Sequence, residues 1–238
     1  LYEKNFYTLD KLESQINYKQ AYYLPELERI LKESENIFIE DKNQERKQFV
    51  QNLNILNNEF VGESKQFTDL DSPDSENFNP DEVTMNSFDR LYGFIDQLKE
   101  KYIQAYNIVS EKKNEVVKDL ENQLGKEGYI SLFRNNHNEF LASLVKKVNS
   151  SDKIIISENR LIQTVDPIFL EPESDCLFSF RAHFYAPRKN IGNVSIDTIY
   201  FNLGVIWLFT IILYITLYYD GLKRLVSFFE KKQNTHKK

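Results

Sequence analysis

The stretch TIYFNLGVIWLFTIILYITLYY, Thr198 to Tyr219, decides how the whole chain is read, because none of its 22 residues carries a charge. At about 1.5 Å of rise per residue it makes a helix of roughly 33 Å, against a bilayer hydrocarbon core of roughly 30 Å. Twelve of its residues are Leu, Ile, Val or Phe. At roughly 0.3 to 0.6 kcal/mol each on an insertion scale, they favour lipid by on the order of 5 kcal/mol. Asn202 is its only strongly polar residue, and Tyr200, Tyr214, Tyr218 and Tyr219 lie near the two ends. A ring with one wet and one apolar edge is most at home at those depths. The stretch therefore reads as a single transmembrane helix, 198–219.

The flanking charges orient it. Lys223, Arg224, Lys231, Lys232, Lys237 and Lys238 follow the helix, whereas the 20 residues before it hold only Arg181, Arg188 and Lys189. The excess of basic residues marks the cytoplasmic side. The expectation is a cytoplasmic basic tail, 220–238, an extracytoplasmic region, 1–197, and residence in the inner (plasma) membrane. A region that long needs a signal peptide or an earlier span to cross, and the opening LYEKNFYTLD has neither an apolar run nor an initiator Met. The chain thus reads as the C-terminal piece of a larger multi-pass protein. Within the tail, Leu222, Leu225, Val226 and Phe229 share one helical face suited to the inner headgroups.

Setting aside the six basic and two acidic residues after Thr198 leaves 24 basic and 34 acidic residues in 1–197. A surface so acidic repels nucleic acid and anionic headgroups, so neither is expected as a partner of this part. The single cysteine, Cys176, has no internal disulfide partner and reads as a small apolar residue. Seven glycines in 238 residues suit long helices better than a turn-rich sheet.

The fold class expected is mainly α: a long antiparallel helical hairpin or bundle, a small β region near the membrane, then the one transmembrane helix. Leu9, Leu12, Ile16, Tyr23, Leu27 and Ile30 step by threes and fours, with Pro25 expected to kink or restart the helix. A second helix from about Asp41 is carried by Phe49, Leu53, Leu56 and Phe60. Residues 61–80 hold Gly62, Pro73 and Pro80 with five acidic side chains, and read as a mobile linker. From Asp81 to about Leu124 the spacing of Phe88, Leu91, Ile95, Leu98, Tyr102, Ala105 and Val109 approaches a heptad. Gly125 and Gly128 mark a break before a further helix, Tyr129 to Val148. These elements make up an extracytoplasmic helical domain, 1–150.

A β-rich, membrane-proximal region, 151–197, follows. KIIIS (Lys153–Ser157) and RLIQTV (Arg160–Val165) flank Glu158 and Asn159 as a hairpin, and LFSFRAHFY (Leu177–Tyr185) alternates as a strand.

Catalytic patterns are missing from these residues. His137, His183 and His236 are far apart with no metal-ligand spacing, and no phosphate loop or nucleophile elbow occurs. Neither a catalytic nor a metal residue is assigned, and no cofactor is expected in this piece. Asn202, with Gly204 beside it to admit a neighbouring helix, is the candidate for an interhelical bond worth roughly 0.6 to 2 kcal/mol.

The segment RAHFYAPRKNIGNVSIDTIYFNLGVIWLFTIILYITLYYDGLKRL, Arg181 to Leu225, resembles the C-terminal end of a family of bacterial ATP-binding cassette (ABC) transporters that fuse ATPase and permease in one chain. The residues that carry the resemblance are His183, Phe184, Tyr185, Ala186, Pro187, Arg188, Lys189, Ile196, Asp197, Thr198, Phe201 and Asn202, and DPIFLEP (Asp166–Pro172) also fits. The first 150 residues resemble the family's long outer insert only in position and composition.

The resemblance implies an exporter-type permease of ABC-2 or G-subfamily character, in which ATP hydrolysis drives the membrane halves between inward- and outward-open forms. This piece would supply the outer domain and the last membrane helix. Its partners would be the lipid bilayer, the upstream membrane helices and ATPase domain of the parent protein, and a second copy in a homodimer. ATP and magnesium belong to the ATPase domain, whose motifs have no counterpart here. His183, Tyr185, Arg188 and Lys189 are the candidates for coupling or lipid contact at the membrane edge. The rival reading is a single-span, membrane-anchored coiled-coil scaffold or receptor that binds a protein partner.

Overall fold

The computed structural model describes residues 2–40, 43–71, 73–74, 78–147, 149–170, 186–191 and 194–220. The architecture is mainly α, with two small antiparallel sheets and one long apolar helix near the C-terminal end. The chain divides into two units, Leu1–Phe169 and Leu170–Lys238.

In the first unit, α1 (Tyr2–Tyr18) passes through a π-helical turn (Lys19–Tyr23) into α2 (Leu24–Ile39). Pro25 sits in the first turn of α2. Its ring would clash with the carbonyl four residues back, and the wider π turn just before it accommodates this without ending the helix. Helix α3 (Arg46–Gln66) returns antiparallel to α2, as the pairs Phe38–Phe49 and Tyr23–Glu59 show. Helix α4 (Met85–Asn136) then runs antiparallel to α1 and α2, bringing Phe88 to Phe38, Tyr92 to Glu35 and Lys113 to Asp10. The expected helical hairpin is therefore present.

The core lies where α2, α3 and the first half of α4 meet. Leu27, Leu31, Leu53, Leu56, Phe88, Leu91, Ile95 and Leu98 are fully buried there. Each such side chain stabilises by about 1.5–3 kcal/mol through burial. Phe60 is the hub, with its ring 4.8 Å from Phe94 and edge-on to Phe78 at 5.7 Å.

Two boundaries differ from the sequence reading. Helix α3 continues through Gly62 to Gln66, six residues into the stretch read as linker. A glycine costs a helix only about 1 kcal/mol, less than the about 1.5–3 kcal/mol gained by burying Phe60 beside it. The connector is also anchored, because Phe78 and Val83 are buried in the core. The second difference is at Gly125, which breaks the helical geometry at φ 73°, ψ 160° as expected, while α4 resumes at once and runs through Gly128 to Asn136. The following helix is consequently only α5 (Glu139–Lys146), which Asn138 caps by accepting from the Leu141 N–H at 3.0 Å.

Strands β1 (Ile154–Ser157) and β2 (Arg160–Gln163) pair in register Ser157 to Arg160, and Glu158 and Asn159 between them both adopt positive φ. This is the left-handed two-residue turn whose twist matches a hairpin. Side chains of α3 hold the hairpin: Glu59 accepts from the Leu161 N–H at 2.9 Å and Asn58 donates to the Asn159 carbonyl at 3.1 Å. The hairpin therefore belongs with the helices, although the sequence grouped it with the membrane-proximal residues. A short 3₁₀ turn, Pro167–Phe169, closes the unit on α1 through Ser14 to Asp166 at 2.6 Å and Tyr7 to Phe169 at 5.7 Å.

The second unit contains β3 (Arg188–Ile191), β4 (Val194–Asp197) and α6 (Thr198–Tyr218). The expected strand at Leu177–Tyr185 and the tail after Asp220 lie outside the described residues, as does Cys176.

Replacing Phe94 by Ala removes the ring packed on Phe60. The expected loss is about 3–5 kcal/mol in stability of the helical unit, measured as a lowered urea midpoint of the helical circular dichroism of the full chain in detergent. A loss below about 1 kcal/mol would show that the aromatic hub does not organise the core.

Candidate functional site

Helix α6 has 21 residues, a mean hydropathy of 1.9 over its most apolar window, and no residue of that window buried against protein. It is long and apolar enough to cross a membrane. Its hydroxyls are satisfied internally: Thr210 donates to the Ile206 carbonyl at 2.8 Å and Thr216 to the Ile212 carbonyl at 2.7 Å. These back-bonds within one turn remove two polar groups that lipid would otherwise penalise.

The β3–β4 hairpin is built directly onto the start of this helix. The Thr198 N–H donates to the Pro187 carbonyl at 3.0 Å and the Thr198 hydroxyl to the Ala186 carbonyl at 2.7 Å. Helix start and strand end are thereby one hydrogen-bonded piece. Asp197, at the N-cap, makes no side-chain cap bond; its carboxylate instead meets Arg188 Nε at 3.3 Å. Both side chains are more than half exposed, so the pair is worth at most about 1 kcal/mol in water. Lys189 Nζ donates to Asn202 Oδ1 at 3.4 Å and lies 4.7 Å from the centre of the Phe201 ring. A cation over an aromatic face contributes about 0.5–1 kcal/mol at an exposed site.

Three of the six candidate residues, Arg188, Lys189 and Asn202, thus gather at the N-terminal end of α6. Gly204 lies two residues further along, about half a turn away, and a methyl group added there would meet nothing within 4 Å. His183 and Tyr185 fall outside the described residues. The polar collar places two cations beside the first turn of an otherwise uncharged helix, where long basic side chains can reach water while their stems lie along apolar surface.

A second polar constellation, inside the helical unit, was not legible beforehand. Glu63 is buried, with Lys19 Nζ 2.6 Å from Oε1 and the Tyr102 hydroxyl donating to Oε2 at 2.6 Å. One turn away Glu59 accepts from the Tyr23 hydroxyl at 2.8 Å, and Lys19 Nζ lies 3.4 Å from the Tyr23 ring centre. The π turn puts Lys19 and Tyr23 together against α3. The available signal was Glu63 itself, which continues the buried stripe Leu53, Leu56, Phe60 at helical spacing. Burial, with Glu63 nearby, raises the Tyr102 and Tyr23 phenols far above the ordinary tyrosine range, and burial with Glu59 nearby raises Tyr18. The Tyr18 hydroxyl is the one buried side-chain polar atom without a hydrogen-bond partner among the described residues. The arrangement is structural: a buried carboxylate paired with a lysine and a phenol ties three helical segments together. Among the described residues no cluster of three or more His, Cys, Asp or Glu side chains is arranged to hold a metal ion.

Comparison with protein-family models, with curated proteins and with solved structures gives no match for this chain.

The raised tyrosines set an alkaline limit. The neutral phenol is the form the fold holds, so its contribution is complete below about pH 10, where unfolded tyrosines ionise, and is lost as the pH rises further. Spectroscopic titration of phenolate should show Tyr18, Tyr23 and Tyr102 ionising only together with loss of helix. Titration of all 14 tyrosines near the ordinary value with the helices intact would contradict this. Glu63→Gln leaves Lys19 facing a neutral amide and should cost about 1–3 kcal/mol, against about 1 kcal/mol for Tyr102→Phe.

Proposed function

We propose that this chain is the extracytoplasmic and last membrane-spanning portion of an ABC transporter permease. In this reading α6 crosses the bilayer with its C-terminal end in the cytoplasm, and the acidic helical unit stands on the outer side. The observation that carries it is α6: an uncharged helix of membrane-spanning length with no buried residue in its most apolar window. The resemblance of residues 181–225 to the end of fused ATPase–permease chains supplies the class. The polar collar supports it further, since Arg188 and Lys189 sit where the helix would leave the outer headgroups.

The work of such a part is mechanical. ATP bound and hydrolysed in the cytoplasm, with magnesium, shifts the membrane helices, and the β3–β4 hairpin, bonded to the first turn of α6, moves with that helix. The assembly is a homodimer in this reading, with upstream membrane helices of the parent protein packing on α6 through Asn202 and the open side at Gly204.

The scaffold or receptor reading is favoured by a different feature, the 52-residue α4, whose residues 122–136 are exposed except for the half-covered Gly128 and Tyr129. One experiment separates the two. Affinity isolation through a tag after Lys238, from detergent-solubilised membranes of the native source, should recover vanadate-sensitive ATP hydrolysis. Recovery of the chain without ATPase or an ATP-binding polypeptide would reject the transporter and leave the scaffold.

A further inference from the structure

We infer that α5 and the distal end of α4 form a second, shallow membrane contact, an amphipathic foot that lies on an anionic lipid surface; this rests on the reading that α6 is in a bilayer. Helix α5 is inverted relative to an ordinary surface helix. Ala142, Ser143, Val145 and Lys146 are the half-covered positions, while Phe140 is 78% exposed, Leu141 53% and Leu144 50%. A helix of a soluble domain turns its apolar stripe to the core. Here the protein holds the opposite side: the Lys146 carbonyl accepts from the Asp166 N–H at 2.9 Å, and Lys146 Nζ reaches Asp10 at 3.5 Å and the Phe169 ring at 5.5 Å. The apolar side is thus presented outward by a fixed framework. Just before it, Ile130, Leu132 and Phe133 of α4 are also exposed, and Phe133 stacks on His137 at 4.6 Å.

The kind of partner follows from charge and area. Residues 122–147 carry Lys126, Arg134, Lys146 and Lys147 against Glu127 and Glu139, two positive charges in excess, whereas the rest of 1–197 has 20 basic and 32 acidic residues. This basic-leaning segment of an acidic region also turns aromatic and aliphatic side chains outward. That combination, Phe and Leu on one face with Lys and Arg beside it, is how helices lie in a headgroup layer. A second copy of the chain fits less well. The three outward side chains of α5 present on the order of 300 Å², against about 800 Å² per partner in a stable protein interface. A contact this small becomes effective when the partner surface is already tethered nearby, as a bilayer is for a chain whose α6 lies in it.

The test uses single-tryptophan full-length chains in vesicles of phosphatidylcholine with or without phosphatidylglycerol, quenched by lipids carrying a nitroxide near the glycerol end or deep in the acyl chain. Trp207, the natural tryptophan, lies within α6 and reports the span. A chain with Phe140→Trp and Trp207→Phe reports the foot. The expected result is deep quenching of Trp207 in both vesicles, and shallow quenching at position 140 that strengthens with phosphatidylglycerol. Lys126→Gln with Arg134→Gln should weaken the foot's surface binding by about thirty-fold, leaving Trp207 unchanged. Quenching of Trp207 without quenching at 140 overturns the foot and keeps the membrane reading. Absence of both overturns both. A blue-shifted, lipid-unquenched signal at 140 means protein covers the face, from a second copy, another polypeptide or another segment, and overturns the foot as well.

Discussion

An uncharged helix whose most apolar stretch is unburied among the described residues has to be covered by something apolar, and every functional statement about this chain descends from that constraint on α6. Its backbone is satisfied along its own axis and its two threonines bond back to carbonyls one turn earlier, so only side-chain surface is left to dispose of. Twelve aliphatic or phenylalanine side chains in water would be an extreme exposed patch. A bilayer removes that surface without demanding a complementary partner, and the proposal of a spanning helix needs nothing more elaborate. In the proposed reading the lysines and arginines that follow it set the orientation, and the acidic unit would then stand on the outer side.

The helical unit is organised by two different seams. Towards the α2–α3 turn the contact is aromatic and aliphatic, built around Phe38, Phe60, Phe88 and Phe94. Towards α1 it becomes polar: Lys113 bridges Asp10 and Glu13, Lys99 meets Glu28, and Lys19 meets Glu63 inside the protein. The apolar seam supplies most of the stability, because partly exposed ion pairs contribute little. The polar seam fixes which residues of α1 and α4 face each other, and the buried Lys19–Glu63–Tyr102 group is the part of it that would be most costly to break.

Elements whose local chemistry and tertiary surroundings agree were legible from sequence. The span of α6, the break at Gly125, the restart at Pro25 and the Glu158–Asn159 turn each follow from what those residues permit. The continuation of α3 past Gly62 was not legible, since a glycine's local preference is outweighed by the bonds that Lys19 and Tyr102 make to Glu63. The β3–β4 hairpin, RKNI paired with VSID, lies within the region read as β-rich, but the sequence reading did not resolve it into two strands. Of the site, the sequence supplied Arg188, Lys189 and Asn202 by their position, and the structure added what joins them, the bonds from Thr198 back to Ala186 and Pro187. Inward-facing Glu59 and Glu63 were missed because a carboxylate on an apolar stripe is ordinarily a solvated edge.

The most direct measurement of the central claim is the sidedness of the C-terminus. A full chain with Lys238→Cys and Cys176→Ser, in intact cells, should resist a membrane-impermeant maleimide and react only after the inner membrane is opened. Labelling of that cysteine in intact cells, or recovery of the chain as a water-soluble species, would contradict a helix that crosses lipid with its basic end inward.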